Sequence, residues 1–414
     1  MKDGAVSVAR RLRDAGFEAY FAGGCVRDLL LGRTPKDFDI ATDATPTQVQ
    51  GLFRRTVLVG AAFGVIRVRV ADGQEYEVAT YRTDGTYTDG RRPDAVSYSK
   101  DKQEDVARRD FTINALLMDP FTDEILDYVG GRTDLGRGLI RAVGDAERRF
   151  FEDKLRMLRA VRFASRFGFG IEASTQAAIQ KHASSIVLVS AERIVAELHA
   201  MWSGPGPSAG MELLGALGLF SPIFSFVPGE ALGELLPDFG RLGAALNFVE
   251  RALAAGPDPE AAATLGWSLV LSRRDERHQV DGVLRSMKLS QKLMRDVRRV
   301  LELEPSLFDP STMRQADRVR LLREKVAPLA LAHLAARRGM DDPGLDLLLR
   351  EHRQALADAL PTEPWVGGND LMRLGLTPSP RFKEILWAVE TEILERRIHT
   401  KEEALALAAK LASA

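Results

Sequence analysis

Two aspartates one residue apart, Asp37 and Asp39, form the part of this sequence best suited to chemistry. On a β-strand, side chains alternate between the two faces, so both carboxylates project to one side while Phe38 faces the core. Two nearby carboxylates repel each other and favour a bound cation or a proton. The preceding turn at Gly23 and Gly24 can let the backbone approach a phosphate. Together these features predict a magnesium site that holds a nucleoside triphosphate, whereas an exposed acidic turn is the alternative for the pair alone.

The string GGCVRDLLLGRTPKDFDIAT at residues 23–42 resembles the first motif of the class II nucleotidyltransferases. This family comprises the bacterial and eukaryotic CCA-adding tRNA nucleotidyltransferases and the bacterial poly(A) polymerases. The resemblance implies that Asp37 and Asp39 hold catalytic Mg²⁺ ions. It also implies that Gly23, Gly24 and Arg27 shape the triphosphate site.

A third acid, Glu77, lies on a predicted strand over residues 75–81 that pairs with a predicted strand over 65–70. Glu75 and Glu77 share one face of that strand. The resemblance implies a catalytic role for Glu77, because the family has an acidic residue at the matching position. A solvated glutamate on an edge strand is the alternative.

Residues 108–116, RRDFTINAL, resemble the second motif of the family. On a helix, Asp110 and Asn114 share a face and can meet one ligand. An acid and an amide can hydrogen-bond ribose hydroxyls, and Arg109 suits a phosphate. A helix cap formed by Asp110 is the structural alternative.

Glu152, Asp153 and Arg156 in the string EDKLR resemble the family's EDxxR motif, which acts as a protein template for the incoming base. On a helix, Asp153 and Arg156 are neighbours and present an acceptor beside a fork of donors. Cytosine and adenine offer an amino donor beside a ring acceptor, whereas guanine and uracil reverse that order. The pair therefore accepts C and A and leaves buried groups unpaired against G and U, with Glu152 positioning the arginine. A surface ion pair is the alternative.

The same predicted helix continues with arginines three or four residues apart, namely Arg156, Arg159, Arg162 and Arg166. This stripe can face the triphosphate or the tRNA end, and a solvated surface is the alternative. From it we select Arg159 for the triphosphate site. Residues 190–198 resemble the fifth motif, a helix that supports the template. Their spacing predicts a Ser190 cap and an Arg193–Glu197 pair.

Residues 83–94 are rich in glycine and short polar residues, which predicts a loop rather than a strand. The segment resembles the flexible loop that helps CCA-adding enzymes move from adding C to adding A. Its presence argues against a CC-only enzyme, although an A-only enzyme also keeps it. A surface loop without a task is the alternative. The loop positions selected are Asp84, Gly85, Tyr87, Gly90 and Arg91.

The elements that position these residues change character near residue 140. We expect an α+β fold, in which a nucleotidyltransferase head with a mixed, mostly antiparallel sheet precedes an all-helical neck, body and tail. The expected ranges are 1–139 for the head, 140–205 for the neck, 206–305 for the body and 306–414 for the tail. Asp127–Gly131 resembles the third motif, which implies a hinge between head and neck, although a turn with positive φ uses paired glycines equally.

The helical half matches the family less closely. Residues 368–380 resemble a tail element, except that Ser379 stands where the family usually has glycine. We expect tRNA to bind through shape and phosphate contacts. The candidate basic residues are Arg273, Arg274, Lys288, Lys292, Arg295, Arg298 and Arg299.

Bulk properties are those of an ordinary globular protein, with 414 residues, 45% of them hydrophobic and 28% charged. The formal net charge of −1 requires any polyanion to meet a local basic surface. Cys25 is the only cysteine, which excludes an internal disulfide and fits a reducing cytoplasm. No apolar run is long enough to span a bilayer, and the sequence lacks a P-loop lysine motif. We therefore expect a cytoplasmic protein without a membrane partner or an obligatory protein partner.

These features predict a template-independent enzyme that completes the 3′ CCA end of tRNA with CTP and ATP. An A-adding enzyme that works beside a CC-adding partner remains open, and a poly(A) polymerase is a further rival. Residues 59–66, VGAAFGVI, favour a tRNA nucleotidyltransferase over the polymerase, because the polymerases typically have basic residues there. A noncatalytic tRNA-binding protein is the alternative outside enzymes, and the intact Asp37 and Asp39 argue against it.

Overall fold

The computed structural model describes residues 1–58, 64–70, 73–84, 96–227, 231–253, 260–272, 280–357 and 364–413. The chain divides into two compact units, Met1–Ser225 and Phe226–Ala414. The finer division into head, neck, body and tail stays a prediction. Within the described ranges, no helix combines the length and the apolar character that crossing a membrane requires.

The first unit combines short strands with helices. Its strands are β1 (Tyr20–Ala22), β2 (Asp39–Thr42), β3 (Thr56–Leu58), β4 (Val65–Arg69), β5 (Glu75–Thr80), β6 (Arg82–Asp84), β7 (Val96–Tyr98), β8 (Leu117–Met118), β9 (Ile125–Leu126), β10 (Leu139–Ile140) and β11 (Gly170–Ile171). Its helices are α1 (Lys2–Asp14), α2 (Gly24–Leu30), α3 (Pro46–Leu52), α4 (Lys102–Ala107), α5 (Gly131–Arg137), α6 (Ala146–Glu152), α7 (Leu155–Phe167), α8 (Ala173–His182), α9 (Ala191–Trp202), α10 (Pro207–Ala216) and α11 (Phe220–Ile223). Among the described residues of this unit, 3₁₀ segments cover Thr112–Asn114 and Ala183–Leu188.

The main sheet of the described residues has the strand order β3-β4-β5-β2-β1-β8-β9. Strands β2 and β5 run parallel, with Ile40 beside Val78, and the other neighbours are antiparallel. The expected α+β fold with a mixed, mostly antiparallel sheet is confirmed. Because β5 lies between β4 and β2, the alternative that places Glu77 on an edge strand is wrong.

Helix α1 supplies apolar side chains that recur at helical spacing and are buried, namely Ala5, Val8, Ala9 and Leu12. They share one core cluster with sheet residues that include Phe21, Ile40, Ile66 and Val78. The start of α3 shows a capping box in which Thr45 and Gln48 satisfy each other's backbone N–H groups. The buried face of α1 and the capping box of α3 therefore support the head sheet.

The predicted loop over residues 83–94 is partly wrong, because Thr83 and Asp84 belong to β6, which pairs with β7. The remaining selected positions, Gly85, Tyr87, Gly90 and Arg91, lie outside the described residues. So do residues 59–63 of the segment that separates the enzyme classes.

The paired glycines of the third motif serve a tight turn. Gly130 has a φ of 80°, which favours glycine. A Cβ on Gly131 would overlap the carbonyl oxygen of Thr112. Asp127 accepts hydrogen bonds from the N–H groups of Gly131 at 2.9 Å and Arg132 at 3.0 Å. The hinge between head and neck stays a prediction.

The second unit is helical throughout its described residues. Its helices are α12 (Ala231–Leu253), α13 (Ala261–Leu271), α14 (Val280–Ser286), α15 (Gln291–Phe308), α16 (Gln315–Leu322), α17 (Ala327–Arg338), α18 (Pro343–Ala357), α19 (Gly368–Arg373), α20 (Pro380–Leu394) and α21 (Lys401–Ser413), with a 3₁₀ turn at Pro310–Thr312. Helix α17 is the centre of this unit and packs against α12, α13 and α15. Ser379 precedes α20 with an extended backbone (φ −157°), so this position does not require glycine.

All four candidates for tRNA contact in α15 already have a carboxylate partner. The pairs are Lys292–Glu260, Arg295–Asp296, Arg298–Asp281 and Arg299–Glu324. Arg273 and Arg274 lie outside the described residues. A role for this surface in tRNA binding stays a prediction.

Candidate active site

A cavity of about 460 Å³ in the first unit collects residues from motifs that lie far apart in sequence. Ten predicted site residues line it, namely Gly23, Gly24, Arg27, Asp39, Arg109, Asp110, Asn114, Asp153, Arg156 and Arg159. The remaining lining residues are Arg108, Leu155, Arg162, Phe163 and Arg193. Cavities of this size are typical of sites for small ligands.

The acid pair has the alternation expected of a strand, although only Asp39 belongs to β2. Phe38 is 5% exposed and Ile40 is fully buried, whereas Asp37 is exposed. Burial, together with the nearby carboxylates of Asp37 and Glu77, raises the pKa of Asp39 to about 6 against the opposing charge of Arg109. The structure therefore places three acids close enough to repel one another.

These acids suit a divalent ion that takes part of its ligand shell from a substrate. Among the described residues, no group of three or more His, Cys, Asp or Glu side chains can hold a metal ion by itself. Of these three acids, Glu77 forms an ion pair with Arg67 at 3.0 Å, whereas Asp37 and Asp39 form none with the described residues. Mg²⁺ keeps several waters and binds one or two carboxylates together with substrate phosphates. The donor set fits such an ion.

The glycine turn approaches the arginines closely. Gly23 has a φ of 74°, and a Cβ there would lie 2.9 Å from Nη1 of Arg109. Arg27 is buried, donates to Oδ1 of Asn114 at 2.5 Å and pairs with Asp28 at 2.7 Å. Backbone, guanidinium and amide groups thus meet at one wall of the cavity.

Asp110 and Asn114 do meet, but the predicted helix between them is wrong. Helix α4 ends at Ala107, and a 3₁₀ turn brings Nδ2 of Asn114 to 3.1 Å from Oδ1 of Asp110. That turn has no side-chain cap, so the cap alternative for Asp110 is also wrong. Burial would raise the pKa of Asp110, but Arg159, which donates to Oδ2 at 2.6 Å, holds it below its usual value.

The EDxxR residues are not on one helix, which corrects a second expectation. Asp153 has extended backbone angles between α6 and α7 and binds the Arg193 guanidinium at 3.1 and 2.7 Å. Arg156 lies in the first turn of α7 and donates to Glu152 at 2.8 Å. The surface ion pair between Asp153 and Arg156 does not form, and Glu152 contacts the arginine as expected.

The arginines after Arg156 also have partners, so the solvated-surface alternative is wrong. Glu197 receives Arg159 at 3.7 Å and pairs with Arg162. The expected i,i+4 pair between Arg193 and Glu197 is therefore wrong, because each binds a residue of another segment. Ser190 occupies the N-cap position of α9 without a side-chain capping bond.

The cavity lining is strongly basic, with seven arginines against three aspartates among the described residues. Phe163 lies beneath three of them, with guanidinium carbons 5.2, 5.4 and 4.2 Å from its ring centroid for Arg27, Arg159 and Arg162. An excess of guanidinium groups near an acid pair suits a polyphosphate that arrives with a divalent cation.

Comparisons with known proteins agree with this geometry. A family model described as the poly A polymerase head domain matches residues 19–141. A model of an RNA and SrmB-binding site of polymerase A matches 168–229, and a model of tRNA nucleotidyltransferase domain 2 matches 261–409. The CCA-adding enzyme of Leuconostoc mesenteroides is 34% identical over 411 residues, which cover 97% of this chain and 94% of that protein.

This chain belongs to the CCA-adding enzyme family. The CCA-adding enzyme of Geobacillus stearothermophilus is 44% identical over 227 residues, or 55% of each chain. The crystal structure of the Bacillus stearothermophilus CCA-adding enzyme in complex with CTP superposes with a TM-score of 0.78 at 31% identity, covering 98% of this chain and 96% of that one. Membership of this nucleotidyltransferase family implies dependence on a divalent metal ion.

Five lining residues of the CCA-adding fold were not selected as members of the site from the sequence, namely Arg108, Leu155, Arg162, Phe163 and Arg193, although Arg162 belonged to the predicted arginine stripe. Local signals existed for two of them. Arg108 directly precedes Arg109, and Phe163 lies four residues after Arg159 on α7, where side chains share a face. Arg193 carried no such signal, since its partner Asp153 is 40 residues away.

Proposed function

We propose that this chain adds CCA to the 3′ end of tRNA with CTP and ATP, without a nucleic-acid template and with release of pyrophosphate. The observation that supports it best is the cavity in which Asp39, the glycine turn, Asp153 and Arg156 meet. In a family of CCA-adding enzymes, this arrangement supports a proposal in which nucleotidyl transfer and base choice occur at neighbouring groups.

We assign the metal-binding role to Asp37 and Asp39, with Glu77 as a third acid that acts through its charge. Mg²⁺ ions bound there would lower the pKa of the terminal 3′-hydroxyl and stabilise the leaving pyrophosphate. The chain's own groups bind and orient the nucleotide. Arg27 and Arg109 face the phosphates, while Asp110 and Asn114 accept from and donate to the ribose hydroxyls. Arg159 keeps Asp110 ionised, so that it acts as an acceptor.

Base choice rests on Asp153 and Arg156. The Asp153 carboxylate has about four lone-pair sites. Arg193 uses one on each oxygen and the N–H of Leu155 uses the second on Oδ1 at 3.1 Å, so Oδ2 can still accept the amino group of C or A. Arg156 is held by Glu152 and donates to the ring nitrogen. Guanine and uracil present the reverse order and leave buried groups without partners. Such a mismatch can reduce use of the wrong base by about 10⁴-fold.

The test uses three tRNAs, ending before CCA, after C and after CC, each offered every NTP in turn with Mg²⁺. Addition of two C and then one A is expected. Addition of A alone to the CC-ended tRNA would support an A-adding enzyme, and a long A tail would support a poly(A) polymerase. Absence of any incorporation would support a noncatalytic tRNA-binding protein.

A further inference from the structure

A buried aspartate outside the predicted site holds two of its arginines. Asp105 lies in the last turn of α4 and is only 2% exposed. Its Oδ1 accepts from Nε of Arg108 at 3.0 Å and from Nη2 at 2.5 Å, and its Oδ2 accepts from Nη2 of Arg109 at 3.0 Å. One carboxylate therefore orients two consecutive guanidinium groups that line the cavity.

Both arginines connect Asp105 to groups of the proposed site. Arg109 donates from Nη1 to the carbonyl oxygen of Asn114 at 3.3 Å, and its charge acts on Asp39. The carbonyl oxygen of Arg108 accepts from Nη2 of Arg156 at 3.3 Å. Asp105 therefore binds Arg109, which is assigned to the phosphates, directly. It also binds the side chain of Arg108, whose backbone carbonyl contacts the base-selecting Arg156.

The burial of Asp105 separates it from ordinary surface pairs on a helix. Pairs at i,i+3 and i,i+4 stabilise an exposed helix only slightly. Here the side chain is 3% exposed and those of Arg108 and Arg109 are 20% and 19% exposed. Burial would raise the pKa of Asp105, but the two arginines hold it below its usual value, so the carboxylate is charged at neutral pH. Its removal leaves two enclosed cations without this partner.

We propose that Asp105 is a positioning residue that holds Arg109 against the nucleotide phosphates and, through the backbone of Arg108, fixes the direction of Arg156. This inference rests on the proposed function, because it concerns the same CTP and ATP site. Without Asp105, Arg109 is free to turn towards Asp39, whose charge already attracts it. Nucleotide binding and base choice then weaken together, although Asp105 itself touches neither phosphate nor base.

The experiment measures CTP and ATP binding to the full chain by calorimetry without tRNA, for wild type, Asp105→Asn, Asp105→Glu and Asp119→Asn. Asp119 is the matched control, because it pairs with Arg13 at 2.7 Å in the same unit but does not line the cavity. Loss of a hydrogen bond between charged groups corresponds to about 10- to 100-fold in affinity. We expect that loss in Asp105→Asn and a change below about twofold in Asp119→Asn.

Two further readouts separate positioning from general damage. In an Arg109→Gln background, Asp105→Asn should weaken CTP binding by less than about threefold more, because the ion pair between positions 105 and 109 is then already absent. The ratio of kcat/KM for CTP over UTP should fall in Asp105→Asn. Two results overturn the proposal. One is a loss of CTP affinity in the double variant that equals the product of the two single losses, and the other is a folded Asp105→Asn that binds CTP like the wild type. An unchanged CTP to UTP ratio overturns the part that concerns Arg156.

Should Asp105→Asn fail to fold by circular dichroism, Asp105→Glu decides, since it keeps the charge but moves the carboxylate by one methylene. Weaker CTP binding is expected, and unchanged binding overturns the proposal. Failure of the wild-type protein to extend tRNA would instead contradict the proposed function, while the CTP affinities of the variants still decide the role of Asp105.

Discussion

The acid pair of the head and the arginine cluster around α7 differ in whether their charges are compensated by ion pairs. Asp37 and Asp39 have no ion pair among the described residues, and their mutual repulsion raises the pKa of Asp39 beyond the effect of its burial. Around α7, by contrast, each acid has an arginine partner. The pairs are Asp110–Arg159, Glu152–Arg156, Asp153–Arg193 and Glu197–Arg162. The acid pair therefore keeps a charge that no described residue compensates, whereas the acids around α7 are compensated within the chain.

Removing either Asp37 or Asp39 should lower CCA addition more than any other substitution does. We expect Asp37→Ala and Asp39→Ala to lower CCA addition by about 10³-fold or more, because each loses a metal ligand worth several kcal/mol of transition-state stabilisation. CTP affinity should change by less than about tenfold, since the arginines remain. Single-turnover incorporation with radiolabelled CTP measures the rate.

Asp43→Asn is the matched control, because Asp43 directly follows β2 and accepts only the N–H of Glu18, at 2.7 Å, in the described structure. Its activity should stay close to that of wild type. An Asp37→Ala protein with normal activity would contradict the metal-binding role.

Asp153→Ala should change which base is added rather than whether addition occurs. Removing the acceptor frees Arg193 and eliminates the partner of the amino group, so the preference for CTP over UTP should fall by about 10²-fold or more. Competition between CTP and UTP on a tRNA that ends before CCA measures this preference.

Asp145→Asn is the control for that variant, because Asp145 caps α6 by accepting the N–H of Arg148 at 2.7 Å and does not line the cavity. It should keep the wild-type preference. An unchanged CTP to UTP ratio in Asp153→Ala would remove Asp153 from base selection.

Asp110→Asn tests, through the free energy of unfolding, whether Asp110 compensates the charge of Arg159. The substitution leaves the enclosed Arg159 without its closest carboxylate, which should lower the free energy of unfolding by about 2 to 4 kcal/mol at pH 7. Because the pKa of Asp110 is below its usual value in the folded chain, its contribution is present above pH 4 and is lost as the pH falls further. Urea unfolding at pH 7 and at pH 3.5 measures the difference, and equal stability at pH 7 would contradict compensation.

In a metal-free buffer, Asp39→Asn should raise the free energy of unfolding, which is the opposite of the effect expected for Asp110→Asn. The pKa of Asp39 is about 6 in the folded chain and near 3.8 when unfolded, so ionisation opposes folding. That cost grows between pH 4 and pH 6 and is complete above pH 6. The variant should therefore be more stable than wild type by about 1 to 3 kcal/mol at pH 8 and similar at pH 4. Thermal unfolding with EDTA at both pH values checks this, and a less stable variant at pH 8 would argue against uncompensated repulsion.

The smallest expected effect concerns Cys25, which shares the acidic region but performs no chemistry. Burial and, to a smaller extent, the charge of Asp39 raise the pKa of its thiol to about 11. Iodoacetamide at pH 8 should therefore leave the folded protein unmodified and active, while the urea-unfolded chain reacts fully. Mass spectrometry before and after unfolding measures the modification. Rapid alkylation of the folded chain would show that the thiol is more accessible than its burial indicates.

Much of the fold and of the site could be predicted wherever the signal was local. The alternation around Phe38 placed both acids on the side of the strand that faces away from the core. The errors arose where a helix was assumed across a break. Asp110 precedes a 3₁₀ turn and Asp153 separates two helices, and no glycine or proline marks either position in the sequence.

By itself, the sequence determined the acids, the glycine turn and the motif order, because strand and helix periods act over a few residues. Only the tertiary structure decided the partners of the charges: Arg193 binds Asp153 rather than Glu197, and Glu77 lies inside the sheet. Pairing across 40 residues depends on how α7 and α9 pack, and no i,i+4 rule contains that information. The same packing decides which carboxylates are neutralised and which are left for a cation.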